Sequence, residues 1–187
     1  MKQQKKESRE QYPEIDVEAI WDSFLHQHGL HAAPVRKRIS SVLSHLHRGL
    51  SRKRLQLYPD VIQVLDELKS KYRMGLVSDA QPCFALPEIQ AVGLSGYFEP
   101  IVISAYGGFR KPDSRLFAKA LDMMKLIPSQ AIYIGNDMFR DIFGAKQAGL
   151  KTIFVDSNQG EKHYEGVKPD YFASRFEDVL NGVATLS

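Results

Sequence analysis

Residues 131–149, AIYIGNDMFRDIFGAKQAG, constrain the fold more than any other stretch. Ala131 to Ile134 reads as a short apolar strand. Gly135 breaks it, and Asn136 and Asp137 form a turn. A helix carrying Ile142, Ala145 and Ala148 then runs to Gly149, a glycine stop. A strand that turns directly into a helix is a unit of a parallel α/β sheet, and ligands bind at the carboxyl ends of such strands. The turn presents Asp137 and Asp141 near such a point, where carboxylates suit a hard divalent cation such as Mg²⁺. Asn136 and Asp137 also suit a simple helix cap, and spacing alone supports both readings equally.

The same alternation runs through the chain from Tyr58 onward. Asp60 and Gln63 predict a capping box on a helix carrying Val61, Val64, Leu65 and Leu68. Strands follow at Met74–Val77 and Phe98–Ile103, separated by a short helix near Glu88–Val92. Lys111-Pro112-Asp113 opens a helix with Leu116, Phe117, Ala120, Leu121 and Met124. After the 131–149 unit come strands at Thr152–Val155 and Tyr171–Phe172, and a last helix over Phe176–Val183. Strands separated by helical patterns imply an α/β fold with a parallel sheet covered by helices on both faces.

Residues 13–56 differ. Val17, Ile20, Trp21, Phe24 and Leu25 mark one helical face, and Val35, Ile39, Val42, Leu43 and Leu46 mark another, with no strand between. They read as a small helical module, after a tail over residues 1–12 and before an α/β core over 57–187. The length of 187 residues fits one domain with such an appendage, and 43% hydrophobic residues suffice for a core. No apolar run reaches spanning length, and MKQQKKESREQYPE lacks the apolar segment of a secretory signal. Cys83 is the only cysteine, so no internal disulfide forms and a cytoplasmic location is expected. The basic clusters Arg36-Lys37-Arg38 and Arg52-Lys53-Arg54 lack interleaved aromatics and read as solvated helix faces, with no nucleic-acid partner expected. The histidines at 26, 28, 31, 45 and 47 raise a zinc alternative. A His-x-His pair on a helix points its rings to different faces, so they read as surface residues.

Three strand ends carry polar groups. Ser78-Asp79 closes the strand GLV; a hydroxyl and backbone N–H groups there suit a phosphate oxygen, and both residues also favour ordinary turns. Lys111 is a point cation able to neutralise phosphate and an adjacent carboxylate, or a plain surface lysine. Asp137 and Asp141 form the third set. The order of the three, each ending a successive βα unit, argues for one site.

That ordered set resembles the haloacid dehalogenase-like hydrolase superfamily. Its second motif, an apolar strand ending in Ser or Thr, is matched by GLVSD at Ser78. Its third, a lysine often followed by Pro-Asp, is matched by FRKPDSRLF at Lys111. Its fourth, an acidic turn before a small-residue helix, is matched by YIGNDMFRDIFGAKQAGLKTIFV. The resemblance covers about residues 57–180. It implies a Rossmann-like core with a small helical cap, similar to segment 14–50. It further implies a Mg²⁺-dependent phosphomonoester hydrolase acting on a small phosphorylated metabolite through an aspartyl-phosphate. Covalent catalysis of this kind splits one difficult displacement into two. By carry-over Ser78, Asp79 and Lys111 bind phosphate, Lys111 orients the nucleophile, and Asp137 with Asp141 hold Mg²⁺. The family's first acid falls at Asn136 or at Asp137; the Asp137–Asp141 pair keeps the charged option.

The family's first motif, an apolar strand followed by D-x-D-x-[TV], has no match. Asp16-Val17-Glu18 is followed by Ala19, and neither it nor Asp22 nor Asp60 follows an apolar strand. Three expectations follow: a truncated product of a hydrolase gene, a non-catalytic binding module, or a nucleophile strand supplied by another polypeptide. In the family this strand lies centrally, between the strands ending here at Ser78 and Ile134. Its absence predicts a gap in the sheet, weak Mg²⁺ binding, and possible dimerisation through exposed strand edges.

Overall fold

The computed structural model describes residues 8–187. The expected tail over 1–12 therefore lies mostly outside the described residues, and Pro13 makes an isolated antiparallel bridge to Phe109. The chain divides into two compact units: residues 1–56, 79–95 and 103–109, and residues 57–78, 96–102 and 110–187.

The first unit holds α1 (Val17–Gln27), α2 (Ala33–Ser51) and α4 (Pro82–Ala91). Asp16 caps α1 by accepting from the Ala19 N–H, which satisfies one orphan donor of the first turn. Asp22 pairs with Arg36 across the α1–α2 turn. Residues 79–95 and 103–109, read in the sequence as part of the α/β core, group with these helices. The reason is ionic as well as apolar: Arg48 grips Glu88 of α4 through Nε and Nη2 at 2.7 and 2.9 Å, and Arg52 adds a third contact at 3.1 Å. Glu88 is held below the ordinary carboxylate range chiefly by the hydrogen bond from Arg48. The helix near Glu88 is longer than expected because Pro82 sits in its first turn, where a missing N–H costs nothing.

The second unit is the α/β part. Its elements are α3 (Val61–Lys69), β1 (Leu76–Ser78), β2 (Ile101–Ile103, of which the last residue groups with the helices), α5 (Ser114–Met124), β3 (Ile132–Gly135), a wide π-helical turn (Met138–Phe143) running into α6 (Gly144–Gln147), β4 (Lys151–Val155), β5 (Tyr171–Ala173) and α7 (Val179–Leu186). The expected capping box on α3 does not form. Asp60 is left-handed, with φ of 64°, and its side chain makes no cap bond.

β3, β4 and β5 pair in parallel, with Ile132 opposite Lys151 and Ile153 opposite Tyr171. Side-chain alternation along β3 splits the core. Ile132 and Ile134 pack with Leu68, Ile153, Val179 and Val183 on one face, while Ala131 and Tyr133 pack with Phe117, Leu121 and Ala145 on the other. β1 and β2 form a separate two-stranded sheet, tied by Leu76 N–H to Pro100 O and Glu99 N–H to Met74 O. The sheet is thus open between β1 and β3. Four of the five residues of β4 are fully buried, whereas those of β1 and β3 are only partly so. An elongated cavity of about 660 Å³ runs along the opening.

Candidate phosphate-binding site at the strand ends

Gly135 lets the end of β3 and the helix beyond it come unusually close. A Cβ there would stand 2.4 Å from Cβ of Asp141 and 2.7 Å from its Oδ2. With no side chain in the way, the Asp141 carboxylate folds back under the turn. Its Oδ2 accepts from the Asn136 and Asp137 N–H groups, both at 3.1 Å. Its Oδ1 accepts from Lys111 Nζ at 2.6 Å and from the Tyr133 hydroxyl at 3.2 Å. Lys111 Nζ also donates to the Val77 carbonyl at 3.3 Å, the residue before Ser78. One ammonium therefore bridges the β1 segment, through the Val77 carbonyl, to the Asp141 carboxylate beyond β3. Burial, followed by the opposing pulls of Lys111 and Asp141, pushes the Tyr133 phenol far above its ordinary range, so Tyr133 remains a donor at any physiological pH.

Asp137, expected as a metal ligand, is engaged by five protein donors. Its Oδ1 accepts from the Phe139 and Arg140 N–H groups at 3.1 and 2.7 Å. Its Oδ2 accepts from Arg140 Nε and Nη2 at 2.8 and 2.7 Å and from the Glu161 N–H at 3.1 Å. It caps the π turn and pins the 156–162 loop. Gly160 (φ +77°) completes that closure, since a Cβ there would stand 2.3 Å from the Asn136 carbonyl. Asn136 donates to Ser157 Oγ at 2.9 Å, and it lines the cavity together with Lys111 and Asp141, whereas Asp137 does not.

A carboxylate offers about four lone-pair sites, and both Asp137 and Asp141 have theirs filled by four or more donors. No group of three His, Cys, Asp or Glu side chains able to hold a metal occurs among the described residues. These residues by themselves do not fit Mg²⁺; a cation at this point requires a further carboxylate.

Of the expected site residues, Lys111, Asp141 and the end of β1 at Ser78 come together. Asp137 lies behind the turn, and Asp79 begins the segment that groups with the helical unit. Sequence reasoning missed Tyr133, Arg140 and Ser157. Tyr133 sits in an apolar strand and carries no spacing signal. Arg140, three residues after Asp137, was visible as an i,i+3 partner.

The hydrogen bonds from Arg140 outweigh the burial of Asp137 and depress its pKa. A carboxylate depressed in the folded state stabilises the fold at every pH above its unfolded value, about 3.9, and that contribution fades as pH falls through the folded value. Urea midpoints measured from pH 7 down to about pH 2 are expected to drop less steeply for Asp137→Asn than for the parent. Parallel curves would refute the clamp.

Comparison with known proteins decides the family. The profile for haloacid dehalogenase-like hydrolases matches residues 1–155. The chain belongs to this family. It is 33% identical over 115 residues to a glyceraldehyde 3-phosphate phosphatase of Methanothermobacter thermautotrophicus, covering 61% of the chain and 51% of that protein. It is 31% identical over 106 residues to a phosphoserine phosphatase of Thermus thermophilus, covering 56% and 43%. The chain spans about half the length of these curated relatives. The same fold occurs in a 2-haloacid dehalogenase from Pseudomonas syringae, with a TM-score of 0.72 and 21% identity over 91% of this chain and 71% of the other. A predicted phosphoglycolate phosphatase from Haemophilus somnus gives 0.69 and 20% over 92% and 79%. Among the described residues, no helix is long and apolar enough to cross a membrane.

Proposed function

We propose that this chain carries the phosphate-binding and orienting half of a phosphomonoester hydrolase acting on a small phosphorylated metabolite. The observation that carries the reading is the Lys111 ammonium, held by Asp141 and the Val77 carbonyl beside the end of β1. The names of the relatives support the reaction class.

In this reading Ser78 and the N–H groups after it bind phosphate oxygens, and Lys111 neutralises the anion. Asp141 and Tyr133 fix the position of that lysine. Asp137 acts indirectly, by holding the turn and the 156–162 loop. A Mg²⁺ ion, which would offset the repulsion between a carboxylate nucleophile and phosphate, awaits a carboxylate that the described site does not provide.

Residues 1–187 are therefore expected to show no p-nitrophenyl phosphate turnover above background, because positioning groups without a nucleophile lack the covalent route. It is expected to bind inorganic phosphate weakly, in the range of about 1–10 mM. Calorimetry with Ser78→Ala and Lys111→Arg tests the site. Loss of the phosphate heat in both supports it, and heats unchanged in both would overturn it. Turnover by the parent that disappears in the variants would show that a nucleophile exists in the chain, with Asp79 the first to test.

A further inference from the structure

Ser104 is fully buried, and its hydroxyl is engaged on two sides. It stands directly after β2 and opens a 3₁₀ turn over Ser104–Tyr106, where its carbonyl accepts from the Gly107 and Gly108 N–H groups. A hydroxyl has one proton and two lone pairs. The proton goes to Glu14 Oε2 at 2.6 Å, and the oxygen accepts the Ala80 N–H at 3.0 Å. A hydroxyl that donates to a carboxylate makes a short, charge-assisted bond, and its polarised oxygen is then a better acceptor for the amide. Ala80 lies two residues after Ser78. The backbone just beyond the end of β1 is therefore anchored by a serine and a glutamate distant from it in sequence.

The glutamate is itself fixed. Its N–H donates to the Gly108 carbonyl at 2.9 Å, beside the bridge between Pro13 and Phe109. Gln81, the next residue of the loop, closes the circuit. Its Nε2 donates to the Ile15 carbonyl at 2.6 Å, and its Oε1 accepts the Val17 N–H at 3.2 Å. Val17 opens α1, so this N–H is one of the orphan donors of a helix N-terminus. Asp16 takes the Ala19 N–H, and Gln81 takes that of Val17. Residues 14–17 thus run from the Ser104–Ala80 anchor to the first turn of α1, bonded to the loop at both ends. Apolar contact is non-directional, whereas a polar circuit whose members are satisfied holds its segments in one arrangement.

We propose that Glu14, Ser104 and Gln81 are positioning residues for the phosphate site: they set the backbone that follows Ser78 and couple phosphate binding there to the first turn of α1. The proposal rests on the phosphate reading of Ser78. Coupling between sites is reciprocal, so an ion that orders the loop also orders the start of α1, and loosening this brace weakens the ion. Glu14 separates two roles by sign. A carboxylate acting as plain charge repels an anion, and its removal tightens binding. A carboxylate that anchors Ser104 supports binding, and its removal weakens it.

The test is a titration of isotopically labelled residues 1–187 with inorganic phosphate at constant ionic strength, followed through the Ser78, Ala80 and Val17 amide resonances. In the parent the three are expected to shift with a common midpoint. Glu14→Ala and Gln81→Ala, both at partly exposed positions, are expected to raise that midpoint about three- to tenfold, the effect of losing about one hydrogen bond, and to uncouple Val17 from phosphate. Glu14→Gln keeps an oxygen acceptor for the Ser104 hydroxyl and is expected to restore most of the affinity. Ser104→Ala is expected to behave like Glu14→Ala; should it unfold, the two partly exposed positions still decide. Midpoints unchanged in Glu14→Ala and Gln81→Ala, or tighter binding by Glu14→Ala and Glu14→Gln alike, would overturn the brace and leave the phosphate site standing. A parent whose Ser78 amide does not respond to phosphate would overturn both.

Discussion

Lys111→Met is expected to lower the stability of the α/β unit by about 3–5 kcal/mol, the usual effect of stripping one partner from a buried ion pair. The Lys111 side chain is 12% exposed and that of Asp141 7%, with 2.6 Å between Nζ and Oδ1. Methionine reproduces the lysine side chain as far as Cε and removes the terminal ammonium. The Asp141 carboxylate then stays buried with two backbone donors and the Tyr133 hydroxyl, but without a countercharge. For a chain of this size the loss corresponds to a fall in melting temperature of roughly 6–20 °C. The pair itself contributes far less than that figure, because both ions gave up hydration to form it. A double-mutant cycle separates the two. Adding Asp141→Asn to Lys111→Met removes the uncompensated charge and is expected to recover a sizeable part of the loss, even though both charges are then gone. An additive cycle would show that Lys111 acts through packing alone.

The sequence made that pairing legible only in part. Lys111 and Asp141 were each identified, but as a phosphate ligand and a metal support rather than as partners. Nothing in a linear spacing of thirty residues says that Gly135 lets the Asp141 carboxylate fold back beneath the turn. The α/β alternation was easier to read, because buried strands and amphipathic helices carry their own periods. Boundaries shifted where the apolar pattern was continuous but the hydrogen bonds were not. The expected helix after Asp137 begins with a π turn, whose first donors, the Phe139 and Arg140 N–H groups, are capped by the Asp137 carboxylate. Asp60 promised a capping box from residue type, and its left-handed backbone turned the side chain elsewhere. Asp137 is ambiguous for the opposite reason: its type suits both a cation and an arginine, and the Arg140 and Glu161 contacts are invisible in the sequence. The opening in the sheet, in contrast, was expected from a missing motif and coincides with the break between β1 and β3.

Residues 1–187 alone are expected to melt below about 45 °C, the low end of the usual range for mesophile domains, or to associate through the β1 and β3 edges. The reason is the opening. Leu76, Val77, Ile132 and Ile134 occupy strands that would ordinarily have neighbours on both sides, and here they are not fully buried. Full burial of such a side chain is worth about 1.5–3 kcal/mol, and four partly exposed ones forgo a fraction of that each, about 1–4 kcal/mol together. The backbone adds to this. A dry unpaired group would cost about 1–3 kcal/mol, but a cavity of about 660 Å³ is wide enough to admit water at roughly 30 Å³ per molecule. Water lowers the penalty for each group while keeping the strand edges exchangeable. Set against a total of about 5–15 kcal/mol for a typical domain, the remaining margin is small. The expected signature is rapid amide exchange in β1 and β3 beside slow exchange in β4, whose residues are buried in the same unit. Association through the edges would show as a melting temperature that rises with protein concentration. A concentration-independent, cooperative transition of a monomer above about 60 °C would contradict both alternatives. In that case the walls contributed by α3, α5 and α7 would be sufficient to hold the two sheets in place without a strand between them.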